Sequence, residues 1–216
     1  ALLAAQDGLA LLAFISLFYG GILAWRQQDL KAMVAYSSIS HMGIVLLGIA
    51  SLNVTGLTGA VMQMVAHGLT AGLLFLIVGL LYQRTHSRDL ADYGSLLGQA
   101  PRFAFFTAFA LLAAIGLPGS AGFIAELHAL VGGYGRWGGW ILFVCLAMLV
   151  GAAYSLRVIG RLCLPGPAMP LADMTRTESA AAGILALSIL LLGIWPAPLL
   201  ELVAGSVDLV ARRFGT

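Results

Sequence analysis

The chain has 216 residues, of which 61% are hydrophobic and only 9% charged, with a net charge of +2 and a mean hydropathy of +0.99. A soluble domain carries about 25% charged residues, so charge this sparse cannot coat a water-exposed body of this size, and lipid must be the outer solvent. The small net charge offers no basic face to a nucleic acid, and none is expected as a partner.

Apolar runs of spanning length, about 20 residues for a hydrocarbon core of about 30 Å, fall near 6–25, 32–52, 57–82, 103–134, 138–162 and 179–204. They are rich in Gly, Ala and Leu and lack period-2 alternation. The fold class read from them is all-α, a polytopic membrane protein of about six transmembrane helices. The 27 glycines suit close helix approach in lipid. The first span closes on the polar corner Arg26-Gln27-Gln28-Asp29, and the second opens at Leu30-Lys31 and carries Tyr36, Ser37, Ser38, Ser40 and His41. Asn53 and Gly56 turn the chain into the third, whose middle holds Gln63, His67, Gly68, Thr70 and Gly72. In the polar connector from Gln83 to Arg102, Ser87 is a candidate cap for a short interfacial helix bearing Leu90, Tyr93, Leu96 and Leu97; an irregular loop is the alternative.

The fourth run is too long for one straight crossing and is interrupted by Gly116-Leu117-Pro118-Gly119-Ser120-Ala121-Gly122. Proline lacks an N–H and clashes with the preceding turn, so Gly116, Pro118, Gly119 and Gly122 mark a broken helix. Freed backbone groups at membrane depth need protein or water partners, which predicts a polar cavity at the break. The fifth span ends near Arg157 and Arg161, with Pro165, Pro167 and Pro170 in the loop beyond. The sixth ends around Trp195, Pro196 and Pro198. Cys145 and Cys163 read as packing residues, since their spacing marks neither a disulfide framework nor a metal site. Arg26, Lys31, Arg84, Arg88, Arg102, Arg157, Arg161 and Arg176 fall on one side of the six spans, and Arg136, Arg212 and Arg213 on the other. This asymmetry predicts a cytoplasmic first group and both termini outside. Ala1 stands where an initiator Met would, with no signal peptide behind it, so a fragment, a processed chain or a partial copy is expected.

Ionisable residues at membrane depth are functional candidates. Glu126 follows the break among Phe123, Ile124, Leu127 and Leu130. Burial there favours the neutral acid, while the dipole at the start of the second half-helix favours the anion, so opposed influences make a protonation site. A plain cap for the exposed N–H groups is the structural alternative. His67 shares a face with Gln63 and Thr70, and an imidazole relays protons near neutral pH; it would otherwise only hydrogen-bond a neighbouring helix. His41 shares a polar stripe with Ser37 and Ser38. Lys31 lies ten residues earlier, on the order of 15 Å along the axis, too far for direct transfer, and it could instead extend its ammonium into headgroup water. His86 reads as solvated, and His128 points to another side of the helix from Glu126. With no metal-ligand spacing, nucleophile set, phosphate loop or nucleotide fingerprint, redox or covalent chemistry within the chain is not expected.

Asp29-Leu30-Lys31 with Ala35-Tyr36-Ser37-Ser38-Ile39-Ser40-His41-Met42-Gly43, then Gln63-Met64-Val65-Ala66-His67-Gly68-Leu69, Thr85-His86-Ser87-Arg88-Asp89 and Gly116 to Glu126, resemble the antiporter-like proton-translocating subunits of respiratory complex I. Within that family they are most similar to the M chains of NADH:quinone oxidoreductase, chain 4 in mitochondria. The glutamate at position 126, where sister subunits carry lysine, favours that branch, as does the histidine at 41, where the L chains carry Gln. The resemblance implies a fold of two inverted five-helix repeats, each with a broken helix. Residues 1–164 would be the second repeat and 165–216 a loop and final helix, together one membrane domain. It implies that Glu126, His67, His41 and Lys31 lie on a proton path, and that this chain holds no cofactor. NADH, FMN, iron–sulfur clusters and quinone are then expected in partner subunits, and the enzyme activity belongs to the complex. It implies a bacterial inner membrane location and membrane-subunit partners, one of which supplies the missing first repeat, unless the chain is an incomplete copy. A cation/proton antiporter or membrane-bound hydrogenase subunit is the alternative class, and a non-conducting packing subunit a third. A small-solute transporter is disfavoured, because the polar residues run along an axis instead of forming one pocket.

Overall fold

A computed structural model describes residues 2–163 and 170–214. Pro165, Pro167 and the side chain of Cys163 lie outside the described residues. The helices are α1 (Leu2–Arg26), α2 (Leu30–Ser51), α3 (Val54–Thr85), α4 (Leu96–Gln99), α5 (Pro101–Ala114), α6 (Ala121–Trp137), α7 (Ile141–Cys163), α8 (Arg176–Ile194) and α9 (Ala197–Phe214). Short 3-10 turns cover Leu90–Asp92 and Gly138–Trp140. No strand occurs among the described residues; one antiparallel bridge joins Asp29 to Asp89.

Side-chain caps set the helix starts. Asp29 accepts from the Ala32 N–H at 2.9 Å to open α2, and Asn53 accepts from the Gly56 N–H at 2.8 Å to open α3. Thr175 and Glu178 form a reciprocal capping box at α8, satisfying donors that a helix start leaves free. Asn53 also donates to the Gly132 carbonyl at 2.7 Å, which ties α3 to α6. On the opposite side, Arg157 donates to the Trp25 carbonyl and, at 2.8 Å, to that of Gln27. A guanidinium at the end of α1 suits the negative pole of that helix.

The structure decides two readings of the sequence. The connector is not one interfacial helix capped by Ser87. Asp89 caps a single 3-10 turn, and α4 is one turn long. Leu90, Tyr93 and Leu96 are buried, while Leu97 points outward. Backbone pairing of Leu30 N–H with Arg88 C=O (2.9 Å) and Leu90 N–H with Gln28 C=O (2.8 Å) pins the connector under the bundle instead. The apolar run to 204 is not all one span, and the last span ends beside Trp195 and Pro196, where the sequence placed it. It stops at Ile194, Trp195-Pro196 breaks the helix, and α9 starts afresh at Ala197. Proline removes the N–H that would continue the ladder.

Stretches apolar and long enough to cross a bilayer are Ala5–Arg26, Leu30–Ser51, Val54–Thr85, Ala121–Leu162 and Arg176–Ile194. Ala121–Leu162, at 42 residues, holds both α6 and α7; α5 and α6 together make the broken crossing and α7 the next. α2 packs between α1 and α3, and α6 lies against α3, α2 and α8. The interior holds two separate apolar cores. One gathers Leu30, Met33 and Val34 of α2, Leu73 to Leu81 of α3, and residues of α5, α7 and α8. The other gathers Ala13 and Leu17 of α1, Ile44 and Leu47 of α2, Ala129 of α6 and Ile141, Val144 and Ala147 of α7. On α2 the two cores are separated by Ser37, Ser40 and His41, and that polar layer holds the candidate site.

Candidate functional site: a buried carboxylate and two imidazoles

α6 turns a face of Ala121, Gly122, Ala125, Ala129, Gly132 and Gly133 into the bundle, and Glu126 is the large residue on it. Small residues allow this close approach. The Gly59 backbone lies against Ala129, and Gly56 lies against Gly132. Glu126 is thereby carried to the bundle centre, where it is 6% exposed. Its Oε1 stands 3.8 Å from His41 Nδ1, and the ring centroids of His41 and His67 are 5.2 Å apart at an interplanar angle of 37°. At 3.8 Å the carboxylate and imidazole are beyond direct hydrogen bonding. A cavity of about 20 Å³ beside them is lined by Ser40, His41, Ile115, Glu126, Gly151 and Tyr154. A water needs roughly 10–15 Å³ of such space, so one fits. The second nitrogen of His41, Nε2, and the Gln63 Oε1 are buried without hydrogen-bond partners among the described residues. The arrangement leaves His41 one nitrogen toward the acid and one unengaged, next to a second imidazole.

α5 stops at Ala114. The turn is closed by Gly116 N–H to Ala113 C=O (3.2 Å), Leu117 N–H to Leu112 C=O (3.1 Å) and Ser120 N–H to Leu117 C=O (2.9 Å). Gly116 has φ +72° and Gly119 φ +94°, a region in which an L side chain is strained. The position a Cβ would take at Gly116 is occupied by the Glu126 carboxylate, so the glycine both makes the turn and lets the acid lie against it. Pro118 is in the exposed part of the loop. Gly122 falls in the first turn of α6 and not in the loop.

The structure brings Glu126, His41 and His67 together and leaves Lys31 apart, exposed in the first turn of α2. The serines between Lys31 and His41 do not bridge them by hydrogen bonds. Ser37 and Ser38 both donate to the Val34 carbonyl (2.7 and 3.1 Å), and Ser40 donates across to Leu17 C=O (2.9 Å). His86 is exposed, edge-on to Tyr82 at 5.9 Å. His128 lies 2.8 Å from the Ile124 carbonyl through Nδ1, on another side of α6. Tyr154 was not singled out in the sequence, yet it is 2% exposed and lines the Glu126 cavity. A lone tyrosine between Ala153 and Ser155, inside an apolar run, was the available signal. Among the described residues no group of three or more His, Cys, Asp or Glu is arranged to hold a metal.

Residues 2–152 match the family described as NADH:quinone oxidoreductase/Mrp antiporter, TM. NADH-quinone oxidoreductase subunit M of Rhodobacter capsulatus is 37% identical over 209 residues, which cover 94% of this chain and 41% of that protein. NADH-ubiquinone oxidoreductase chain 4 of Chondrus crispus is 37% identical over 204 residues, 92% of this chain and 42% of the relative. The chain therefore spans less than half the length of these relatives. Among solved structures, a chain of respiratory complex I from Thermus thermophilus with bound NADH superposes with a TM-score of 0.94 at 30% identity, over 100% of this chain and 46% of that one. A chain of the Mrp complex from Dietzia sp. DQ12-45-1b superposes at 0.88 over 98% of this chain and 49% of that one, a likeness of fold alone at 16% identity. With helices of spanning length and a family match over more than half its residues, this integral membrane chain belongs to the NADH:quinone oxidoreductase/Mrp antiporter family and has the fold of its complex I members.

Proposed function

We propose that this chain is a proton-translocating membrane component of an NADH:quinone oxidoreductase of the complex I type. It supplies the outer half of a buried proton path coupled to electron transfer in other subunits. The observation that carries the proposal is the buried Glu126 carboxylate held 3.8 Å from His41, with the tilted His67 ring behind it. A buried acid with an imidazole 3.8 Å away and a cavity of one-water size beside both is able to take and release a proton, and the imidazoles pass it along the bundle axis. Lys31 collects or delivers protons at the mouth of α2, and about 15 Å of helix between it and His41 is crossed by water. Residues 1–164 act as the second repeat of the fold and 165–216 as a loop and final transmembrane helix, α8, followed by α9. The partners are other membrane subunits, including further sequence that supplies the first repeat. NADH, FMN, iron–sulfur clusters and quinone belong to the rest of the complex, in a bacterial inner membrane with Lys31 and Arg157 on the cytoplasmic side and both termini outside.

The test is Glu126→Gln in the assembled complex, with NADH oxidation and proton uptake measured together in sealed vesicles. Pumping lost while the chain still inserts supports the role; an unchanged proton-to-electron ratio ends it. The family description also names Mrp antiporters, which favours a second reading as a cation/proton antiporter subunit. Sodium-driven proton movement without NADH oxidation, abolished by the same substitution, would select it.

A further inference from the structure

We infer that Gly193 of α8 is a positioning residue for Glu126. It forms a backbone-to-backbone seat that fixes the helix break and, through the break, the carboxylate. This inference rests on the proton-path reading of Glu126. Gly193 is buried, and a Cβ built on it would run into Gly119 O and the carbonyl carbons of Gly119 and Ser120. The obstacle is main chain, with no flexible side-chain tip to move aside. Gly119 and Ser120 sit three and four residues after Gly116, where the Glu126 carboxylate fills the place of a side chain. α8 thus presses on one end of the break while Glu126 rests on the other.

If an atom is added at position 193, either α8 or the loop must yield. α8 is held at its far end by Glu178, 2.6 Å from the Arg84 guanidinium of α3, and along its length by buried Ala182, Ala186 and Ile189. The segment just before it is anchored too: Asp173 accepts from the Arg102 and Phe103 N–H groups (3.2 and 3.3 Å), and Arg102 donates to Met174 C=O at 2.8 Å. The loop turns on two glycines, and nothing lies within 4 Å of a Cβ placed on Gly119. The loop is the softer partner, so it moves and carries Gly116 away from Glu126. Ser120, 2% exposed with an unpartnered Oγ, adds no hydrogen bond that would resist the shift.

The experiment compares Gly193→Ala with Gly183→Ala on the same helix, where an added Cβ meets nothing within 4 Å. Proton transport by the assembled complex is measured with the pH-difference infrared spectrum of the purified full-length protein, in which the Glu126 carboxyl band is the one lost in Glu126→Gln. Misplacing a reacting group by about 1 Å can cost on the order of 10²-fold in rate. Gly193→Ala is therefore expected to shift the band and slow transport at least about tenfold, and Gly183→Ala to do neither. An unmoved band in Gly193→Ala overturns the inference even if transport falls. Should Gly193→Ala fail to assemble, Glu178→Gln is used, because it frees α8 at its far end without touching the seat. Faster amide exchange in residues 115–122 supports the inference, and unchanged exchange overturns it. If Glu126→Gln transports normally while Gly193→Ala still moves the band, the seat stands and the proton-path reading falls.

Discussion

His41 owes its place between acid and imidazole to one turn of α2. Gly43 lets α2 close on the Ala13–Leu17 backbone of α1, and Ser40 donates to Leu17 C=O. These contacts fix the rotation of α2 and aim His41 at Glu126. Replacing His41 with Leu keeps the volume but removes both nitrogens. General acid–base groups contribute about 10²–10⁴-fold, so His41→Leu should slow proton transport by on the order of 10²-fold while NADH oxidation by uncoupled membranes persists. Lys31→Met should slow transport less deeply than His41→Leu, because water also reaches the mouth of α2; an unchanged rate would refute the role of the ammonium. At this scale the sequence singled out three residues that the structure brings together. Glu126, His41 and His67 stand out because charge and imidazole are rare in apolar runs. The side chains that support them did not stand out. Tyr154 and Gly193 are ordinary residue types in a membrane helix, and only three-dimensional contact reveals what they touch.

A broken helix depends on residues that tolerate the turn. Gly116→Ala would place a side chain at φ +72° and in the space of the Glu126 carboxylate. The left-handed conformation alone costs about 1–2 kcal/mol, so the detergent-solubilised protein should unfold several degrees lower and transport should fall with it. An unshifted melting temperature would show that the turn relaxes freely. The connector is held by a hydroxyl network of its own. Tyr93 donates to Ser87 C=O at 2.7 Å and pairs with the Thr85 hydroxyl at 2.6 Å. Tyr93→Phe should therefore cost about 1 kcal/mol and expose residues 86–100 to proteolysis from that side. Burial pushes the Tyr93 hydroxyl above the ordinary tyrosine range. Its proton is held more tightly folded than unfolded, so this stabilisation is complete below about pH 10 and declines as pH rises through the raised value. Element boundaries were legible where a polar residue caps a helix start, as at Asp29 and Asn53. The connector was not legible, because Leu90, Tyr93 and Leu96 fit an interfacial helix and a docked strap equally well. The stop at Trp195-Pro196 was legible from the proline itself, although residues 197–204 are apolar enough to prolong the run.

Composition alone decided the solvent of the whole molecule, and the small-residue content agreed with the helix spacing later seen at Gly56–Gly132 and Gly59–Ala129. Gly59→Leu would wedge α3 from the α6 backbone, a clash with main chain that costs about 1–3 kcal/mol or more in a packed core. Reduced chain recovery from membranes is the expected result, and normal recovery would argue against tight α3–α6 packing. What composition could not show is the division of the interior into two apolar bodies with a thin polar layer between them. That division has an electrical consequence. Hydrocarbon-like plugs above and below a polarizable layer behave as two capacitors in series, so a transmembrane voltage falls across both. Moving one charge through the full voltage is worth about 2.3 kcal/mol per 100 mV. On the proposed path, a proton arriving at Glu126 from either face would cross one plug and gain or lose roughly half of that, about 1 kcal/mol per 100 mV. On the proposed path, the occupancy of that carboxylate would therefore follow the voltage across the membrane as well as the acidity of the water on each side.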